Sequence, residues 1–107
     1  MTTEAFALSV GGRWRYPIPD AEPVRFRSHP GRVFWVHHSF RGSAGNQDPD
    51  LWQVTDEKTC MLITAWRWPS KRKAIDNARD ILRKNSAVDL DERAAQRLQQ
   101  LSLEVKA

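Results

Sequence analysis

A nine-residue segment, RVFWVHHSF (residues 32–40), constrains the fold more than any other part of this sequence. It is dense in β-branched and aromatic residues, and this composition predicts a strand. The turn signal Pro30-Gly31 precedes it, and a polar segment (residues 41–50) follows it as a predicted loop. Because a strand needs hydrogen-bonded neighbours, other segments must supply the rest of a sheet.

Further strands are predicted around this segment. Residues 24–29 alternate apolar and polar side chains, the pattern of a half-buried strand. Residues 51–56 and 59–66 are joined by a short polar turn, and they are predicted to form an antiparallel hairpin. Residues 1–23 are predicted to be extended, because their three prolines exclude a helix and a central strand. Within them, residues 5–10 form either an edge strand or an ordered tail.

Two helices follow the predicted strands. Ser70 is a suitable N-cap for a first helix over residues 71–84. A second helix is predicted over residues 90–104, capped by Asp89 or Asp91. The apolar residues of each helix share one face: Ala74, Ile75, Ala78, Ile81 and Leu82 in the first, and Leu90, Ala94, Leu98, Leu101 and Val105 in the second. The second helix either covers the core or forms the contact of a homodimer.

This order of elements predicts an α+β domain. An antiparallel, three- to four-stranded meander is packed by one helix and followed by a second, C-terminal helix. The 107 residues are predicted to form one domain. The single Cys60 excludes an internal disulfide and so favours a cytoplasmic location. No stretch approaches the roughly 18 apolar residues of a membrane span, and the N-terminus lacks the pattern of a secretion signal.

The basic residues are concentrated in two segments. The chain has a net charge of +4, and residues 10–41 carry six arginines against two acids. Residues 67–84 carry seven basic residues against two acids. At about 100° per residue, Arg72, Arg79 and Arg83 fall in one narrow stripe beside the apolar face of the first helix. These segments favour a polyanionic partner, and the excess of arginine over lysine favours bidentate contact to phosphate or carboxylate.

The first predicted helix begins with three consecutive cations, residues 71–73. Since the start of a helix is the positive end of its dipole, each of these cations costs about 0.3 kcal/mol. An anion bound by the free amides of this turn would offset that cost. The alternative is a solvated helix face, in which Arg72 pairs with Asp76 and Asp80 pairs with Lys84.

The predicted sheet offers a second candidate for binding. Alternate residues of the strand at 32–40 point to opposite faces. One face is expected to meet the first helix, and the other to leave Trp35 or His37 near solvent, beside Arg25 and Arg27. Arginines beside an exposed aromatic ring are typical of a nucleic-acid platform, which uses phosphate contact and base stacking. The alternative is that the tryptophans lie in the core.

No cofactor, metal site or catalytic site is predicted. His37 and His38 are adjacent in a strand and so point to opposite faces, which prevents them from sharing a metal ion. Nucleophilic catalysis would need Cys60 or a serine beside a histidine that an acid holds in place. Cys60 is expected instead to be a small buried hydrophobe. The sequence therefore predicts a protein that is not an enzyme.

Residues 52–78 resemble small domains carried by bacterial phages and other mobile elements. The resemblance rests on WQVTD (52–56), a short turn into a second strand, and SKRKAIDNA (70–78). A glycine usually follows the turn threonine in such domains, where this chain has Cys60. The strand–strand–helix order is also similar to the three-stranded DNA-reading domains of some phage integrases. The resemblance implies either a DNA binder or an inhibitor of a host defence system.

The sequence thus predicts a small binding protein whose partner is nucleic acid. The alternative is a protein–protein interaction module, an inhibitor or adaptor that docks on an acidic surface with an exposed tryptophan as its anchor. The predicted contacts for nucleic acid or another anion are Lys71, Arg72, Lys73, Arg79, Arg83, Arg25, Arg27, Arg32 and Trp35.

Overall fold

The computed structural model describes residues 5–8, 15–41, 46–64 and 66–106, and it has the predicted α+β class. The strands β3, β4 and β5 form an antiparallel sheet in that spatial order, and β1 and β2 form a separate antiparallel pair. The elements in chain order are β1 (Phe6–Leu8), β2 (Arg15–Pro17), β3 (Glu22–Val24), β4 (Phe34–Arg41), β5 (Asn46–Asp56), α1 (Lys71–Arg83) and α2 (Ala87–Lys106).

The strand predicted from the composition of residues 32–40 is confirmed as β4, which is the central strand of the larger sheet. Val36 of β4 pairs with Val54 of β5, and Trp35 pairs with Thr55, so these pairs point to opposite faces of the sheet. On the face of Val36, the sheet and both helices share one apolar core. Its buried members are Phe26, Phe34, Val36, Val54, Ala74, Ala78, Leu82 and Leu90.

The other face of the sheet is covered too, and the expectation of an open face is wrong. Trp35 is only 8% exposed, because it packs in a second apolar cluster with Ala5, Ala7 and Ile18. His37 is fully buried on the same face. The N-terminal segment supplies this cover and pairs β1 with β2, so the strand alternative for residues 5–10 is confirmed at Phe6–Leu8.

The strand predicted at 24–29 ends at its first residue, since β3 stops at Val24. The amide of His29 donates to the carbonyl of Phe26 (3.1 Å), which turns the chain instead of extending it. The predicted turn at Pro30-Gly31 is confirmed. The amide of Arg32 donates to the carbonyl of His29 (3.2 Å), and Gly31 has a φ of +79°, the conformation that glycine allows most readily.

The strand predicted at 59–66 is not regular. The chain returns beside β5 through two isolated bridges, Thr55 to Leu62 and Trp52 to Trp68. Because the two bridges lie three residues apart on β5 and six residues apart on the return segment, the ladder between them is interrupted. The side-chain hydroxyl of Thr64 accepts the Val54 amide at 3.2 Å and replaces one backbone bond of the ladder.

The turn that precedes this segment contains Cys60 at a φ of +60°, the left-handed conformation in which glycine is favoured. Its amide donates to the carbonyl of Asp56 (2.8 Å) and closes the turn. Cys60 is buried, as the sequence predicts.

The loop predicted at 41–50 is also partly a strand. Residues 42–45 lie outside the described part of the chain, but β5 already begins at Asn46. Pro49 lies in this early part of β5, and the amide of Asp50 is occupied by the Asp48 carboxylate (2.9 Å). Proline and carboxylates on an edge strand discourage pairing with another chain.

Both helices form, and one of the two cap predictions is confirmed. Ser70 caps α1 by accepting the Lys73 amide at 3.1 Å. The second helix begins at Ala87, earlier than predicted, because Ser86 is its cap. The Ser86 hydroxyl accepts the amide of Asp89 (3.1 Å), and the Asp89 carboxylate accepts the amide of Ser86 (2.9 Å). Asp89 therefore supplies the reciprocal half of a capping box rather than the cap itself.

Only the beginning of α2 is buried among its described side chains. Leu90 and Ala94 are buried, whereas Leu98, next on the same stripe, is 52% exposed. The carboxylate of Asp91 ties this beginning to the sheet by ion pairs to Arg32 (3.0 Å) and Lys58 (2.9 Å). Neither helix has an apolar stretch that would allow it to span a membrane over the residues described.

Candidate anion-binding cleft

One wall of the candidate site is the short segment between β3 and the turn at Pro30-Gly31. Phe26 points into the core, where it is 5% exposed and its ring meets that of Phe34 edge to face, with 5.3 Å between centroids. Arg25 and Arg27 lie on either side of Phe26 in the chain and do not follow it into the core. Both arginines are exposed, and within the described residues neither has a carboxylate partner.

The opposite wall is the C-terminal half of α1. Arg79 and Arg83 lie four residues apart and therefore occupy the same face of the helix. The guanidinium carbon of Arg79 lies 6.0 Å from the centroid of the Phe26 ring, within the range of a cation–π contact. Each of these arginines has an acidic neighbour on the helix: Arg79 pairs with Asp76 (2.8 Å), and Arg83 approaches Asp80 (3.7 Å).

The two walls enclose a cleft of about 380 Å³. Its lining contains four guanidinium groups and no carboxylate: Arg25, Phe26, Arg27, Ser28, Arg79 and Arg83. Asp76 and Asp80 lie outside this lining, and their negative charges offset those of only two of the four arginines, Arg79 and Arg83. A concave surface lined by cations concentrates positive potential and attracts anions.

A histidine holds the two walls together at one end of the cleft. His29 is 3% exposed, and its Nε2 lies 2.7 Å from the carbonyl oxygen of Asn85, just beyond the end of α1. Its Nδ1 lies 2.7 Å from the Oγ of Ser28. The turn that carries Arg27 and Ser28 is thereby fixed against the C-terminal end of α1.

The first turn of α1 does not line this cleft. Lys71 pairs with Glu22 of β3 at 2.7 Å, and its Nζ lies 5.0 Å from the centroid of the Trp52 ring. The helix is 13 residues long, which separates its two ends by about 20 Å. Arg25 and Arg27 thus lie beside the second half of α1 rather than its beginning, and Arg72 and Lys73 remain exposed on the first turn.

Two of the predicted contact residues are buried and cannot reach a partner. Arg32 is 9% exposed and makes a bidentate contact to the carboxylate of Asp56, which is fully buried. The hydrogen bond to Asp56, followed by the one to Asp91, raises the pKa of Arg32 despite burial. Trp35 is enclosed in the second apolar cluster and offers no stacking surface.

The predicted salt bridges along α1 also differ from those observed. The spacing predicts a pair between Arg72 and Asp76, but Asp76 contacts Arg79 instead. Asp80 approaches Arg83 rather than Lys84. Each acid pairs with the arginine three residues later in the helix, and both acids therefore lie beside the cleft.

A second polar cluster, which the sequence analysis did not predict, lies near the N-terminal end of α1. The Nδ1 of His38 lies 2.7 Å from Asp20, and the ring of His38 stacks on that of Trp52 with 3.9 Å between centroids. Burial raises the pKa of Asp20, but hydrogen bonds from the His38 amide, the Gln47 side chain and the His38 ring outweigh it, so the pKa is lowered. The residues of this cluster lie far apart in the chain, and no local sequence pattern indicates that they meet.

Comparison with known proteins adds no relative to this description. A scan against protein-family models gives no match, and neither the curated proteins nor the solved structures include one with significant similarity. Within the described residues, no group of three or more histidine, cysteine or acidic side chains is placed to hold a metal ion.

Proposed function

We propose that this protein binds nucleic acid, and that the arginine cleft holds the phosphate backbone. The observation that carries the proposal is the convergence of Arg25 and Arg27 with Arg79 and Arg83 around one concave surface. A planar guanidinium matches two phosphate oxygens at once, and four of them around one cleft suit successive phosphates of a strand. Phosphate contacts of this kind position a nucleic acid without reading its sequence.

The exposed cations of the first turn extend this surface. Arg72 lies on the same stripe of α1 as Arg79 and Arg83. Along the helix axis it is about 16 Å from Arg83, since each residue adds about 1.5 Å. A nucleic-acid strand held in the cleft would continue toward Arg72 and Lys73, both of which are exposed. Lys71 contributes less because Glu22 neutralises it.

The test is the salt dependence of binding to a fluorescent single-stranded oligonucleotide, measured by anisotropy. With four phosphates neutralised, the affinity should fall about 50-fold between about 50 and 200 mM salt. Replacing both Arg79 and Arg83 by alanine should weaken binding at least tenfold at the lower salt, and should reduce the steepness of the log–log salt plot by about 1.4.

The matched control is the replacement of Arg93 and Arg97 by alanine. These two arginines are also four residues apart, are exposed on α2, and leave the chain with the same net charge. This variant should bind nearly as well as the wild type. An equal loss in both double variants would mean that overall charge and not the cleft attracts the ligand, and an affinity insensitive to salt would exclude the phosphate mechanism.

A protein partner with an acidic surface is the second candidate, and one observation favours it. Trp66 is 73% exposed and Leu62 is 48% exposed, both on the irregular segment that follows β5. An exposed tryptophan is a frequent anchor of protein interfaces. Under this candidate, Trp66→Ala would abolish capture of an acidic partner from nuclease-treated lysate and leave oligonucleotide binding intact.

A further inference from the structure

The cleft contains a serine whose hydroxyl is directed at a histidine. The Oγ of Ser28 lies 2.7 Å from Nδ1 of His29, and Nε2 of His29 lies 2.7 Å from the carbonyl oxygen of Asn85. A carbonyl oxygen only accepts hydrogen bonds, so Nε2 must carry a proton and, in the neutral ring, Nδ1 presents its lone pair to Ser28. The Ser28 hydroxyl therefore donates to a base, which is the relation that activates a serine as a nucleophile.

The base in this pair is held rigidly. The His29 ring is 3% exposed and meets the Phe34 ring edge to face, with 6.0 Å between centroids and an interplanar angle of 89°. The Asn85 carbonyl supplies the orienting contact that an acid supplies in other serine–histidine sites. Ser28 itself is exposed and faces the cleft, so an entering ligand can reach its hydroxyl.

The surroundings of Ser28 select the class of substrate. The other polar groups that line the cleft are the guanidiniums of Arg25, Arg27, Arg79 and Arg83. Attack on a phosphodiester produces a transition state in which negative charge is spread over the phosphoryl oxygens. Fixed guanidinium groups stabilise such charge where it develops, so a phosphodiester fits this site better than a neutral ester does.

We propose that Ser28 is the nucleophile of a phosphodiester transfer and that His29 is its general base. This inference rests on the proposed function, because the phosphodiester is that of the bound nucleic acid. The Ser28 Oγ forms a bond to phosphorus, and the bond from phosphorus to the leaving sugar oxygen breaks. The Ser28 proton passes to His29 Nδ1 and returns through water in the open cleft to the leaving oxygen. A water molecule then attacks the phosphorus of the phosphoserine, the bond from phosphorus to Ser28 Oγ breaks, and the second end of the strand is released. His29 Nδ1 takes the proton of this water and returns it to Ser28 Oγ, which restores the free serine.

The test uses the full chain and a single-stranded oligonucleotide labelled at its two ends with different dyes, separated on a denaturing gel. The wild type should give a slow-migrating covalent adduct that carries one dye, together with a shortened product that carries the other. Ser28→Ala should give neither. His29→Gln should form the adduct at least about 100-fold more slowly, the usual effect of removing a general base.

Binding is measured by anisotropy in the same samples, so that the two proposals can fail separately. Oligonucleotide binding without adduct or product overturns the catalytic inference and leaves the proposed function standing, whereas absence of binding overturns both. Adduct formation by Ser28→Ala at the wild-type rate also overturns the inference. Because His29 is buried and its replacement can unfold the chain, the exposed Ser28 is the decisive position, and a thermal melt accompanies each variant.

Discussion

At the scale of single residues, an arginine in the described part of this chain is buried where a buried carboxylate lies within reach of it, and it is exposed otherwise. Asp56 is fully buried and accepts from Arg32, from the Thr59 hydroxyl (2.8 Å) and from the Lys58 amide (3.4 Å). An ionised carboxylate in that position needs a cationic partner, since an isolated buried charge is very unfavourable. Arg32 therefore belongs to the interior, whereas Arg25 and Arg27 stay outside.

Replacing Arg32 tests this structural role. Arg32→Met should lower the free energy of unfolding by about 3 kcal/mol, because it leaves the Asp56 carboxylate buried without its partner. Chemical denaturation provides the measurement. The double variant Arg32→Met with Asp56→Leu should recover part of the loss, and Arg93→Met, at an exposed position, should change stability by no more than about 0.5 kcal/mol. A stable Arg32→Met protein that has lost oligonucleotide binding would assign Arg32 to the ligand surface instead.

At the scale of elements, the two ends of α1 have different tasks. The first turn carries cations that oppose the helix dipole, and two contacts compensate for them: the Ser70 cap and the ion pair between Lys71 and Glu22. Arg83 lies in the last turn, where the dipole favours cations, and Arg79 lies one turn before it. The arginines of the cleft are therefore compatible with a stable helix, and the cations of the first turn depend on neighbouring groups.

The cap at Ser70 can be tested with a pair of substitutions. Ser70→Ala should lower the free energy of unfolding by about 1 kcal/mol, because the Lys73 amide loses its acceptor. Ser70→Asp should keep stability within about 0.5 kcal/mol of the wild type, since aspartate is an equally good cap and complements both the dipole and the three cations. Urea denaturation followed by circular dichroism measures both. Equal losses in the two variants would show that the hydroxyl acts through packing and not as a cap.

At the scale of the whole molecule, the sheet is enclosed on both faces, and contacts between distant residues join the parts. The helix α1 covers one face and the segment with β1 and β2 covers the other. Asp20, which follows β2, accepts from His38 of β4 and from Gln47 of β5. The N-terminal segment is thus attached to the central sheet by a carboxylate as well as by apolar contacts.

This attachment predicts a dependence of stability on pH. Because the pKa of Asp20 is lower in the folded chain than its ordinary value of 3.8, ionised Asp20 stabilises the fold above pH 3.8 and loses this effect as the pH falls through the folded pKa. The free energy of unfolding should therefore drop between neutral pH and pH 3 by more in the wild type than in Asp20→Asn. Asp89 and Asp91 also have lowered pKa values, but they contribute equally to both proteins. Parallel pH profiles for the two proteins would contradict the prediction.

The features that could be predicted from the sequence are those governed by neighbouring residues. The dense run of β-branched and aromatic side chains predicted β4, Pro30-Gly31 predicted a turn, and Ser70 predicted the start of α1, all of which the structure contains. The predictions that failed required knowledge of partners far along the chain. The alternation at 24–29 could not reveal that the chain turns after Val24, and the composition of 59–66 could not reveal the interrupted ladder beside β5.

The candidate site also has features that follow from neighbouring residues and features that depend on residues far apart in the chain. The accumulation of arginines beside the first helix could be predicted, because their number and their spacing along α1 are local properties of the chain. Three features of the site depend on the folded chain: Arg32 and Trp35 turn inward, Arg25 and Arg27 lie opposite Arg79 and Arg83, and His29 joins Ser28 to the carbonyl of Asn85. The physical reason is that burial and ion pairing depend on groups brought together across the chain, such as Arg32 and Asp56 at a separation of 24 residues, and no local pattern encodes such a meeting.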